Sequence, residues 1–154
     1  MRNAMLPLKR HGWTLVGPAV AGNMNYYQRF IDRCPDIHDA IDVDALHFYG
    51  LRPEDAINYF TRWHRRFGKS ILITESACYS YNSDGSETGC ASREAGLHYV
   101  LGIQRWCQST DWCLGFAPFG GLPWNLLNVG PKHYDGLIGK DNKPTELFNR
   151  FNAL

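Results

Sequence analysis

Long hydrophobic runs are missing from the 154-residue chain. Nothing approaches the roughly 18 apolar residues that a membrane-spanning helix needs. The opening segment, Met1 to Arg10, lacks the apolar core of a secretory signal. On that reading the protein stays in the cytosol, or the chain is not the complete gene product. An excess of either charge is missing too. The formal net charge is +1, which argues against a nucleic-acid partner held mainly through phosphates. There is no G-x-G-x-x-G, no P-loop and no G-x-S-x-G, so dinucleotide binding, phosphate cradling and a serine nucleophile elbow lose their signatures. The six histidines are scattered, without H-x-x-x-H spacing or a His/Asp cluster. No metal site and no cofactor are therefore expected. The five cysteines form no C-x-x-C pair, which disfavours a zinc ribbon or a thioredoxin-like centre. Their odd number leaves at least one thiol unpaired within the chain. Cys78 with Cys90 and Cys107 with Cys113 are conceivable bridges, and the pattern does not choose among pairings.

What the chain has in abundance is aromatic residues: five Trp, eight Tyr and eight Phe. Most such rings fill cores, but flat faces also suit carbohydrate. Four short, largely apolar segments bounded by Gly, Pro or polar residues read as strands: Thr14–Ala21, Val43–Tyr49, Ser70–Ala77 and Trp112–Phe119. Near-continuous apolarity predicts strands covered on both faces, as in parallel sheets. Helical patterns lie between them. Pro53-Glu54-Asp55 is a helix start, with proline in the first turn and acids at the positive end of the dipole. Ile57, Phe60, Trp63, His64 and Phe67 follow at helical spacing, and Gly68 stops the run. Further helices are expected over Tyr26–Arg33, Ser92–Gln108, from Pro144 onward with Leu147, Phe148, Phe151 and Leu154, and over Arg2–His11, where Pro7 weakens the pattern. The strand starts at 14, 43, 70 and 112 are 29, 27 and 42 residues apart. The first two gaps are one βαβ unit each. The third leaves room for a long loop, Cys78–Cys90.

In parallel α/β folds, functional side chains gather at the C-terminal ends of strands. Glu75, after Ile71-Leu72-Ile73-Thr74, is the one carboxylate at any of the four ends. A carboxylate there is costly unless it is bonded or used. It is the candidate nucleophile for attack on an anomeric carbon; the competing reading is a structural carboxylate. His47 and Tyr49, two apart on one strand, share a face and can point the same way. Tyr79, Tyr81, Phe119 and Trp124 are candidate stacking platforms for sugar rings. Asn125, Asn128, His133 and Asp135 lie in the last loop region, and their spacing gives no specific signal.

Four segments then carry a resemblance. They are Thr14-Leu15-Val16-Gly17-Pro18-Ala19-Val20, Val43-Asp44-Ala45-Leu46-His47-Phe48-Tyr49-Gly50, Phe67-Gly68-Lys69-Ser70-Ile71-Leu72-Ile73-Thr74-Glu75 and Gly115-Phe116-Ala117-Pro118-Phe119-Gly120. Together they resemble the last four strands of the family 128 glycoside hydrolases, the alkali-sensitive-linkage-like catalytic domains. That family consists of retaining β-1,3-glucanases built on a (β/α)8 barrel. The resemblance implies an α/β fold, a partial (β/α)8 TIM barrel comprising roughly strands five to eight with their helices. Residues 1–154 would be the C-terminal half of a catalytic domain. It implies Glu75 as nucleophile, His47 and Tyr49 as substrate-cleft residues, β-glucan as the partner, and secretion or the cell wall as the place of the full-length family. Ser70 stands where a proline is usual, and Ala117-Pro118 replaces an aromatic-rich stretch.

One expectation is an absence. Retaining glycosidases use a second carboxyl about 5–5.5 Å from the nucleophile. In the family it follows an Asn at the end of the fourth strand, and no Asn-Glu pair occurs in this sequence. Glu54, Glu87 and Glu94 sit in helix-start or loop contexts. The chain alone is therefore expected to be inactive or nearly so. The alternatives are a non-catalytic carbohydrate-binding or cell-wall module, or a truncated product without activity. Open sheet edges would invite self-association.

Overall fold

The computed structural model describes residues 2–120, 134 and 136–154. Its element order is α1 (Arg2–Arg10), β1 (Val20–Ala21), α2 (Met24–Arg33), α3 (Pro35–Ala40), β2 (Val43–Gly50), α4 (Pro53–Phe67), β3 (Ser70–Tyr81), β4 (Glu87–Gly89), α5 (Arg93–Gln108), β5 (Cys113–Pro118) and α6 (Glu146–Asn152). The strands β1, β2, β3 and β5 pair in parallel in that spatial order. Each is laid down beside its predecessor, and the order never reverses. Such one-directional winding is consistent with a TIM-barrel-like fold, whereas doubly wound sheets reverse at a switch point.

The core lies between this sheet and the helices. Leu46, Ile71 and Ile73 of the sheet are fully buried with Phe60 and Trp63 of α4 and Val100 and Ile103 of α5. The α4 helix stops at Gly68, whose φ of 77° is the left-handed conformation that glycine adopts without penalty. One buried acid belongs to this layer. The Asp44 carboxylate accepts hydrogen bonds from the Tyr27 hydroxyl and, at 2.8 Å, from the Trp63 indole N–H. It thereby ties β2 to α2 and α4. Burial, and then the bond to Asp44, pushes the Tyr27 hydroxyl far above its ordinary pKa.

Several sequence expectations need correcting. The strand expected over Thr14–Ala21 shrinks to Val20–Ala21, with one isolated bridge from Val16 to Val43. Pro18 has no N–H to donate to a ladder, and the Leu15 N–H is taken by the Asp42 carboxylate at 2.8 Å. The loop expected over Cys78–Cys90 is instead a hairpin. β3 runs on to Tyr81 and pairs antiparallel with β4 through Tyr79↔Gly89 and Tyr81↔Glu87. The helix α3 was not expected, although Pro35 opens it as proline often does. The last helix begins at Glu146, behind a Thr145 side-chain cap, rather than at Pro144. Pro7 lies within α1, in the second turn of a helix of nine residues.

Of the conceivable bridges, Cys78–Cys90 and Cys107–Cys113 are both joined, and Cys34 is free. The first clamps the base of the hairpin. The second links the last turn of α5 to the start of β5.

Candidate active site

The site is built on the C-terminal half of β2 and the middle of β3; because β3 runs on to Tyr81, Glu75 is the sixth of its twelve residues rather than its end. On β2, Asp44, Leu46 and Phe48 face the helices: Asp44 bonds Trp63, Leu46 is in the core, and the Phe48 ring lies 5.2 Å from that of Tyr59. By alternation His47 and Tyr49 take the opposite face.

On β3 the alternation breaks. Ile71 and Ile73 are fully buried in the helix-side core. A regular strand would put Glu75 on that same face. Instead Leu46 pairs with Ile73 and His47 with Glu75, so Thr74 is an extra residue between successive pairs. The other neighbour records the same irregularity, since Thr74 and Glu75 together stand against Ala117 alone, between Ile73↔Phe116 and Ser76↔Pro118. This is a β-bulge, which re-aims the side chains that follow it. Beyond it Ser76, with no exposed surface, faces the helices: its Oγ lies 2.8 Å from the Tyr99 hydroxyl of α5. Glu75 is turned to the other face, beside His47.

There the His47 Nδ1 lies 3.9 Å from the Glu75 Oε2, and each side chain keeps 24% of its surface exposed. Both are reachable from solvent, as groups meant to meet a ligand must be. Tyr49 lies edge-on to two further rings, Tyr81 at 6.2 Å and Phe119 at 6.5 Å between centroids. Tyr81 is largely exposed, whereas Tyr79 is buried and packs edge-on beneath it at 5.0 Å. Burial, and then the neighbouring Glu87 carboxylate, push the Tyr79 hydroxyl's pKa up. Tyr79 is placed to support Tyr81 rather than to offer its own face. Of the sequence candidates, His47, Tyr49, Glu75, Tyr81 and Phe119 thus come together on one face. Trp124, Asn125, Asn128, His133 and Asp135 lie outside the described residues. Glu54 and Glu94 sit in the first turns of α4 and α5, and Glu87 is on β4.

Sequence reading passed over Ser76 and Tyr99. No motif marks them, because their importance comes from the bulge. Among the described residues no group of three or more His, Cys, Asp or Glu is placed to hold a metal ion. No described helix is long and apolar enough to cross a membrane.

Residues 1–151 match the sequence profile of the glycosyl hydrolase catalytic core. The chain belongs to that family. No curated protein matches by sequence alone. Solved structures similar in fold include a family 128 (subgroup V) exo-β-1,3-glucanase from Cryptococcus neoformans, at 24% identity and a TM-score of 0.80. Another is a subgroup VI exo-β-1,3-glucanase from Aureobasidium namibiae, at 21% identity and a TM-score of 0.78. Each is matched over 97% of this chain and 58% of its own. A subgroup I endo-β-1,3-glucanase from Amycolatopsis mediterranei, in complex with laminaritriose and laminaribiose, matches at 19% identity and a TM-score of 0.75. That match covers 95% of this chain and 60% of the other. The chain therefore spans less than two thirds of the length of the enzymes it resembles.

Proposed function

We propose that this chain is the C-terminal half of a retaining β-1,3-glucanase-type barrel, with Glu75 as its nucleophile. The observation that carries the reading is the bulge at Thr74, which takes the Glu75 carboxylate of β3 out of the helix-side core and sets it beside His47 on the opposite face. The four sequentially wound parallel strands would correspond to strands five to eight of an eight-stranded barrel. The enzymes similar in fold act on β-1,3-glucans, and one holds laminari-oligosaccharides, which favours a β-glucan ligand here.

In the complete reaction a Glu75 carboxylate oxygen would attack the anomeric carbon. A second carboxyl group would protonate the departing glycosidic oxygen and later activate water. His47 would orient Glu75 or bind a sugar hydroxyl, and Tyr49, Tyr81 and Phe119 would stack on the apolar faces of glucose units, with Trp124 a further candidate. The sequence contains no Asn-Glu pair to supply the second carboxyl. The chain by itself is accordingly expected to form the glycosyl-enzyme bond only when the leaving group departs without proton assistance.

A 2,4-dinitrophenyl 2-deoxy-2-fluoro-β-laminaribioside provides that case. The Glu75 Oε–C1 bond forms as the C1–O bond breaks, and dinitrophenolate leaves as an anion. Mass spectrometry should find the fluorinated disaccharide on the peptide containing Glu75, and Glu75→Gln should abolish it. Laminarin itself should release no reducing sugar. Turnover of laminarin that Glu75→Gln removes would show that an acid/base is present after all. A second reading, a carbohydrate-binding module without chemistry, is favoured by the Tyr49–Tyr81–Phe119 cluster. Laminaritriose binding without any labelling of Glu75 would select it.

A further inference from the structure

We infer that Ser76 and Tyr99 are the positioning pair that holds Glu75 on the cleft face of the sheet; this rests on the reading of Glu75 as nucleophile.

A bulge fixes which face a following side chain takes only if the strand beyond it is held in its new register. Otherwise the extra residue can be absorbed and the side chains slip to the other face. Ser76 is the first residue past Glu75, and it is fastened to β2, to α5 and to the residue that follows β5. Its Oγ donates to the Phe48 carbonyl of β2 at 2.8 Å. That bond uses the hydroxyl's one proton. The 2.8 Å contact between Ser76 Oγ and the Tyr99 hydroxyl is then donated by Tyr99, from α5. The Ser76 carbonyl accepts from the Phe119 N–H at 2.9 Å. Both Ser76 and Tyr99 have no exposed surface. With Ser76 drawn toward the helix layer, alternation leaves Glu75 the opposite face, where it meets His47. If β3 beyond Thr74 slipped by one residue, absorbing the bulge, Glu75 would take the same face as Ile73 and turn to the core. Neither side chain touches the ligand in this account. They act through Glu75.

The test uses the whole chain with Tyr99→Phe, which removes one hydroxyl and keeps the ring, and Ser76→Ala, which removes both side-chain bonds. The rate of Glu75 labelling by the dinitrophenyl fluoro-laminaribioside at saturating reagent should fall about threefold in Tyr99→Phe and tenfold or more in Ser76→Ala. The laminaritriose Kd should stay within about twofold, because the aromatic platforms are unmoved. In the same variants, the nuclear Overhauser cross-peak between the Glu75 γ-protons and the His47 ring should weaken. Unchanged labelling and an unchanged cross-peak overturn the proposal. So does a parallel loss of labelling, sugar binding and cooperative melting, which marks a merely structural role. Should the parent chain itself resist labelling, the nucleophile reading fails. The cross-peak then decides the positioning on its own, weakening supporting it and persistence overturning it.

Discussion

At the residue scale, buried hydroxyls set the alkaline limit of this protein. Tyr27 and Tyr59 are almost wholly removed from solvent. Burial pushes the Tyr59 hydroxyl up to about 12, and burial with the Asp44 bond pushes Tyr27 higher still. Both would ionise near 10 in the unfolded chain. Their stabilising contribution is therefore complete below pH 10. It is lost as pH rises further, because only the unfolded state then releases protons. The loss is about 1.4 kcal/mol per pH unit for each tyrosine, until the folded value is reached. Urea unfolding at pH 9, 10 and 11 should show stability falling mainly over the last unit, by roughly 2–3 kcal/mol. Tyr59→Phe should make that fall shallower, Tyr27 and Tyr79 keeping the rest of it. A stability that stays level to pH 11 would contradict the assignment.

At the element scale, the β3–β4 hairpin carries Tyr79 and Tyr81 to the rim of the site, and the Cys78–Cys90 bridge closes its base. Glu87 and Thr88 are exposed, and the turn is kept by local bonds among Asn82, Asp84 and Ser86. Closing a loop of this length is worth about 3 kcal/mol by restricting the unfolded chain. Replacing both cysteines by alanine should lower stability by about 2–3 kcal/mol. It should also speed amide exchange at Glu87–Gly89 well above that at Ile71–Ile73. Equal protection of the two segments would show that the hairpin stands without its clamp. The sequence signalled this segment only as a gap rich in Ser, Gly, Asn and Tyr. Its strand character depends on backbone partners from β3, which composition does not reveal.

At the scale of the whole molecule, among the described residues the parallel sheet ends in two edges, β1 and β5. Trp13, Val16 and Leu114 are exposed near them. A closed barrel has no such edges. If the chain is half of one, it should associate with itself. Sedimentation equilibrium should then give a mass that rises with concentration, and Val16→Lys or Leu114→Lys should reduce that rise. A monomer of 17.6 kDa at all concentrations, melting cooperatively, would count against an open half-barrel.

The sequence by itself did not determine α3, β4 or the run of β3 past Glu75 to Tyr81. It did determine the alternation of the four parallel strands with helices, the placement of Glu75 on the third of those strands and the pairing of His47 with Tyr49 on one face. Those follow from short-range periodicity, from helix starts such as Pro53 and from stops such as Gly68, all local in the chain. The site's facing was not legible. Period-two alternation from Ile71 and Ile73 sends Glu75 into the helix-side core, and nothing in Ile71-Leu72-Ile73-Thr74-Glu75 announces an extra residue. Only pairing with β2 on one side and β5 on the other exposes the bulge at Thr74. Only the Tyr99 hydroxyl, 23 positions away in the chain, shows where Ser76 must point. Register is a property of neighbouring strands, so tertiary structure alone decides which face the Glu75 side chain takes.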